Sequence, residues 1–273
     1  MFGPAPHHAP NLSARLSLMN ESTSNQMNPT TNQEDTNPMN PTNQHIPQIQ
    51  QASLFHVSSP ELQARIQYPH TQRTDRPASP ADWWRRVCRI NGTRLFVSGD
   101  LPSDRIGFAA KLDEWRRHGI THIVDAREEW SDEQRVAERY PDTTYHWVGT
   151  HDDGSGQPDE WFTAGVEAAL EAMGDPEAKV MIHCHMGVNR GPSMAFAVLL
   201  AMGWSPVDAA AAIREARPIA AILYADSALD WWQRTSGTSR SQASQQRAEL
   251  AEWMEANQVD VGWVISRIRR AEW

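Results

Sequence analysis

Short apolar runs and helix-period stripes begin to alternate along this chain at about Arg76. Arg94-Leu95-Phe96-Val97-Ser98-Gly99 reads as a strand ending in a turn. Asp104 suits the cap of a helix to about His118, with Phe108, Leu112 and Trp115 recurring on one face. Gly119 stops that helix, and residues 120–125 read as a buried strand. A short exposed helix is expected over 131–140, a third strand over 144–148, and a polar loop over 151–157. Pro158 fits the first turn of a helix through Trp161, Phe162, Val166, Ala169 and Leu170. Val180-Met181-Ile182 is a further buried strand, followed by a glycine-containing loop and a helix over 192–202. Ser205-Pro206 opens another helix to about Ala216, and Arg217-Pro218 breaks the chain before a last core helix over 225–234. Strands alternating with helical stripes predict an α/β fold over residues 79–236: one domain, with a mainly parallel central sheet flanked by helices. A ligand then belongs at the carboxyl ends of the strands.

The flanks read differently. Residues 1–78 are rich in Asn, Gln, Pro, Thr, Ser and His, with apolar residues too scattered to offset the entropy of ordering. A disordered tail is expected there, and no secretory leader, because no apolar stretch follows Met1. Met19, Met27 and Met39 are alternative initiators. Residues 237–273 read as a polar linker and a helical extension. Leu250, Trp253, Met254, Trp263, Val264, Ile265 and Ile268 give it apolar faces that either pack on the domain or hold a partner.

Composition narrows the classes. No apolar run reaches the length needed to span a bilayer. A net charge of −9 disfavours nucleic acid and anionic membranes as general partners. The two cysteines, Cys88 and Cys184, do not make a disulfide framework, and a reactive thiol favours a reducing, cytoplasmic setting. Cys88 reads as a small buried hydrophobe, and the twelve tryptophans as packing residues.

The candidate chemistry lies in His183-Cys184-His185-Met186-Gly187-Val188-Asn189-Arg190-Gly191-Pro192-Ser193. A cysteine after a buried strand and an arginine at a helix start suit a phosphate monoester. Loop amides and the helix dipole bind the dianion, and Arg190 forks onto two of its oxygens. The same positive field is expected to lower the Cys184 pKa and make it a ready thiolate nucleophile. An acid for the leaving group is expected on another loop at the same sheet edge, where His151-Asp152-Asp153 follows the third strand. Adjacent His183, Cys184 and His185 converge poorly on one tetrahedral ion, so no metal and no cofactor is expected. His183 reads as a hydrogen-bonding support for the loop.

Cys184, five residues, then Arg190, with His183 before and Gly187 within, resembles the signature of the cysteine-dependent protein tyrosine phosphatases, and the compact layout resembles their dual-specificity branch. The resemblance spans about Arg94 to Trp232, with Asp152 upstream, Trp161-Phe162 opening the intervening helix and Arg217-Pro218 after the loop. It implies Cys184 as nucleophile, Arg190 with His185, Met186, Gly187, Val188 and Asn189 as the phosphate-binding loop, and Asp152 as general acid and then base. It also implies a phosphorylated protein as substrate, at phosphotyrosine and also phosphoserine or phosphothreonine. Spacing to Trp161-Phe162 favours Asp152, and spacing to the cysteine also allows Asp153. The family usually has Ser or Thr where this chain has Gly191. That departure predicts slow breakdown of a cysteinyl-phosphate, unless Ser193 reaches back to the sulfur. Other readings stay open. Asn189-Arg190 resembles RNA 5′-triphosphatases of the same superfamily, other phosphate esters are possible substrates, and Gly191 also fits a weakly active phosphoresidue-binding module.

Overall fold

The computed structural model of the protein describes residues 80–272, so the tail expected over residues 1–78 lies outside the described residues. Its centre is a five-stranded sheet in the order β1-β2-β5-β3-β4. β1 (Cys88–Arg89) is an antiparallel edge beside β2 (Leu95–Ser98). β2, β5 (Val180–His183), β3 (His122–Arg127) and β4 (Thr144–Thr150) run parallel. Val97, Ile182 and Val124 share one row across the central strands, and Ser98, His183 and Asp125 the next. Cys184 therefore leaves the sheet at its carboxyl edge.

Successive strand residues face opposite sides, which separates the core into two layers. Phe96, Ile123 and Met181 pack with Phe108, Leu112 and Trp115 of α1 (Arg105–Arg117) on one face. Asp104 caps that helix, accepting from the backbone N–H of Ile106 and Gly107 at 3.1 and 2.8 Å. α2 (Glu133–Arg139) follows β3. Val97, Val124 and Ile182 face the other side, toward α3 (Asp159–Ala172), α4 (Arg190–Ala201), α5 (Pro206–Ala216) and α6 (Ala225–Thr235). Every residue of α4 is buried, as its apolar character all round requires.

Several boundaries move. The strand expected over 120–125 runs from His122 to Arg127, because the Ile120 N–H closes the end of α1 on the Trp115 carbonyl at 3.1 Å. β4 continues to Thr150, and α4 begins at Arg190 rather than at Pro192. The 3₁₀ turn Pro80–Arg85 and β1 have no counterpart in the periodicity.

The C-terminal extension folds as α7 (Arg240–Ala256) and α8 (Val261–Glu272), and it packs on the domain. Leu250 joins the main core, and Arg214 Nη1 donates to the Asn257 carbonyl at 2.6 Å. Val264 and Ile268 of α8 pack with Trp84, Val188, Ile219 and Ala221. Among the described residues no helix is long and apolar enough to cross a membrane.

Candidate active site

The loop from Cys184 to Arg190 is shaped by what its carbonyls do. The His185 carbonyl accepts from the Asp100 N–H at 2.9 Å, and that of Val188 from the Ala221 N–H at 2.7 Å. Arg217 takes the two between them, donating from Nη2 to Met186 O at 3.1 Å and from Nε to Gly187 O at 2.5 Å. In a trans peptide the carbonyl and the following N–H point opposite ways. Four carbonyls drawn outward therefore turn the N–H groups of Met186, Gly187, Val188 and Asn189 inward, as a concave anion cradle. Gly187 permits the turn: its φ is +63°, and a Cβ there would lie 2.5 Å from Ser98 O and from Arg217. Arg217, a chain-break residue in the sequence and a feature of the resemblance, is thus a buried clamp on the loop.

Cys184 is buried at the centre of this loop. The thiolate expectation requires correction for the ligand-free protein. Burial pushes the thiol above its ordinary range, and the charge of Arg190 and the N–H groups of Gly191 and Gly187 only partly offset it. The Asp152 carboxylate works in the same direction as burial.

Arg190 explains part of that balance, because two carboxylates engage it. Nη1 and Nη2 fork onto Glu129 at 2.8 and 2.7 Å, and Nε donates to Asp152 Oδ2 at 3.1 Å. Nη1 also donates to the Thr150 carbonyl at 3.0 Å. Burial raises the Glu129 carboxyl, but the hydrogen bond and charge of Arg190, its own backbone N–H and the charge of His185 together outweigh it and hold the group below its ordinary range. Glu129 is not among the residues that spacing or resemblance singles out. Its one signal is the charged stretch Arg127-Glu128-Glu129 directly after a buried strand.

Asp152 faces the loop. Its Oδ1 accepts from Asn189 Nδ2 at 2.7 Å and from the Tyr224 hydroxyl at 2.8 Å. Asp153 turns away, exposed, accepting from the N–H and the hydroxyl of Ser155 at 2.8 and 2.6 Å. The Asn189 side chain has a second use beside its place in the loop. Its Oδ1 accepts from the Leu223 N–H at 2.8 Å and from the Ser193 hydroxyl at 3.2 Å, so the amide links Asp152 to the segment before α6. His185 is tied outward, with Nδ1 2.7 Å from Asp100 Oδ2, and that hydrogen bond raises its pKa. Met186 and Val188 direct their side chains into the cluster beneath α8, which leaves their backbone N–H groups to face the cradle.

Two further readings change, at His183 and Ser193. His183 does not hydrogen-bond the loop: neither ring nitrogen has a hydrogen-bond partner among the described residues, and Asp125 Oδ1 stands 3.6 Å from Nε2. Full burial lowers its pKa to about 4, so the ring is neutral. Ser193 does not serve the sulfur, since its hydroxyl bonds Asn189 and accepts from the Tyr224 N–H at 3.3 Å. At Gly191 a Cβ would lie 3.1 Å from both Cys184 N and His183 C, so the small residue lets α4 approach the end of β5. Gly191→Ser is therefore expected to cost about 1–3 kcal/mol as overpacking, read as a lower midpoint in urea.

The packing of Val188 under α8 gives a second test. Ile268 is fully buried against it, and Ile268→Ala is expected to cost about 2–5 kcal/mol. Amide hydrogen exchange should quicken at residues 186–188 as well as in α8. Unchanged exchange in the loop would mean that α8 gives it no support.

No family model matches the chain. Solved structures that resemble it include PTPMT1 in complex with PI(5)P, at 17% identity over 55% of this chain and 97% of that one, with a TM-score of 0.45. Human DUSP28 aligns at 18% identity over 55% of this chain and 93% of its own, with a TM-score of 0.44. A mouse putative dual specificity phosphatase complexed with zinc tungstate aligns at 21% over 63% and 97%, with a TM-score of 0.46. The chain is similar to these phosphatases.

Proposed function

We propose that this protein is a cysteine-dependent phosphatase that hydrolyses phosphotyrosine in proteins through a cysteinyl-phosphate. The observation that carries the reading is the convergence of Cys184, the inward N–H groups, Arg190 and Asp152 on one cradle, with Asp152 Oδ2 3.1 Å from Arg190 Nε. The phosphoryl group takes the place of Glu129 on the arginine fork, exchanging one bidentate anion for another. The Cys184 sulfur attacks phosphorus, and the bond to the leaving oxygen breaks as Asp152 gives that oxygen its proton. In the second step Asp152 takes a proton from water, which attacks phosphorus and releases the thiolate.

The charge balance suits that sequence. Asp152 must enter protonated, and its carboxylate is one of the groups that hold the proton on Cys184. Removing the negative charge of Asp152 therefore favours the thiolate. Asn189 and Tyr224 position Asp152, and the use of the Asn189 amide for that purpose favours a monoester over an RNA 5′-triphosphate.

The deciding assay offers a phosphotyrosine peptide, a phosphoserine peptide and a 5′-triphosphate RNA to the purified protein. Release of phosphate from the first is expected. Release from the RNA alone would favour the triphosphatase reading, and phosphopeptide binding without release would favour a binding module.

A further inference from the structure

We infer that the outer face of α8 docks an acidic segment of the substrate protein through Arg267, Arg269 and Arg270, while the phosphoresidue lies in the Cys184 loop. This deepens the phosphatase reading and rests on it for the phosphoresidue. The docking face itself is built from other residues, in the C-terminal extension.

α8 has two faces with different uses. Val264 and Ile268 are buried on the domain beside Trp84 and Val188, with Val261 and Trp263 packed at their edge. Glu272, on the same side of the helix, brings Oε1 to 3.8 Å from His185 Nε2. His185 follows Cys184, and its charge acts on the Glu129 carboxylate that forks Arg190. The last turn of α8 therefore ends beside the cradle. At about 3.6 residues per turn the three arginines fall on the rest of the circumference, and all three are exposed.

Their lack of partners is a second observation. Arg139 and Arg247, exposed arginines of α2 and α7, each meet a carboxylate, of Asp113 at 2.6 Å and of Asp230 at 2.8 Å. None of the three on α8 reaches a carboxylate or a hydrogen-bond acceptor among the described residues. Arg267 only faces the Trp263 ring, 5.6 Å from its centre. In a chain of net charge −9 they form a local positive strip.

A peptide suits that strip and a membrane does not. The apolar side of α8 is turned to the domain, so no hydrophobic face remains to enter a bilayer. The exposed carboxylates of Glu128 and Glu129 stand near the cradle, and a flat anionic surface would meet them together with the arginines. A flexible acidic segment can follow the strip and avoid them. A helix with its side chains is about 10–12 Å across, the span of three or four extended residues. The acidic segment therefore begins about four residues from the phosphoresidue.

The test uses peptides anchored by phosphonomethyl-phenylalanine, which cannot be hydrolysed. About four residues away, on the N-terminal or the C-terminal side, they carry a short run of glutamates or of glutamines. Binding to the full chain is measured by calorimetry at low salt and at about 0.5 M salt. For one side, wild type is expected to bind the glutamate peptide roughly tenfold more tightly, the scale of a few exposed ion pairs, and salt should remove most of that preference. The triple variant Arg267→Gln, Arg269→Gln, Arg270→Gln should lose the preference, yet keep wild-type affinity for the glutamine peptide and the wild-type melting temperature. Arg269→Glu, made separately, should weaken the glutamate peptide selectively. No preference by wild type on either side overturns the inference, as does a preference that survives the triple substitution. Arginine-dependent binding to phosphatidylserine vesicles without discrimination between the peptides also overturns it, and assigns the face to a membrane. A protein that shows the preference but releases no phosphate from a phosphotyrosine peptide keeps the docking face and loses the phosphatase reading.

Discussion

Cys184→Ser is expected to remove hydrolysis of a phosphotyrosine peptide, by on the order of 10³-fold or more, while phosphate-ester binding persists. The cradle that binds is independent of the sulfur. The outward carbonyls are held by Asp100, Arg217 and Ala221, and Arg190 opens α4 whatever occupies position 184. The proposed nucleophile has no such redundancy. A serine hydroxyl titrates far above a thiol, and the burial that already pushes Cys184 up would keep the alcohol protonated. Wild-type protein quenched during turnover should carry phosphate on Cys184, detectable by mass, and the serine variant should carry none. A serine variant within tenfold of wild-type activity would exclude the covalent route.

Asp152→Asn should show two effects of opposite sign. Hydrolysis of substrates with poor leaving groups should fall by roughly 10²–10⁴-fold, because the leaving oxygen loses its proton donor. An activated leaving group should lose much less. Alkylation of Cys184 by iodoacetamide at neutral pH should instead become faster. An anion near a thiol raises its pKa, so removing the Asp152 charge lowers it and increases the thiolate fraction. Unfolding would also lose hydrolysis and expose the thiol to faster alkylation, so a melting transition like that of wild type is measured beside the two readings. Asp153→Asn is the comparison. Asp153 is exposed and bonded to Ser155, and its substitution should move neither quantity. If the pattern follows Asp153 instead, the acid is assigned one residue out.

Much of the fold was legible in local patterns. The runs Leu95–Ser98 and Val180–His183 are strands because continuous apolar residues suit a parallel sheet covered on both faces. Asp104 and Ser205 cap their helices because each side chain accepts a bond from the free N–H groups of a first turn. Boundaries were less legible, since they depend on remote partners. The late start of β3 turns on the Ile120 N–H meeting Trp115.

What the sequence determined by itself is the chemistry carried by adjacent residues: the cysteine, the spacing to an arginine at a helix start, and the glycine that lets the loop turn between them. Those follow from covalent geometry and short-range backbone preference, which a linear pattern records. Tertiary structure decided the rest. It placed Glu129 on Arg190, Arg217 behind the loop carbonyls, Asn189 and Tyr224 on Asp152 rather than Asp153, and α8 under Val188. It also reversed the expected state of the thiol. Proximity to Arg190 can be read from spacing, but the extent of burial and the two carboxylates on that arginine cannot. The balance of desolvation against charge is set only when distant segments meet.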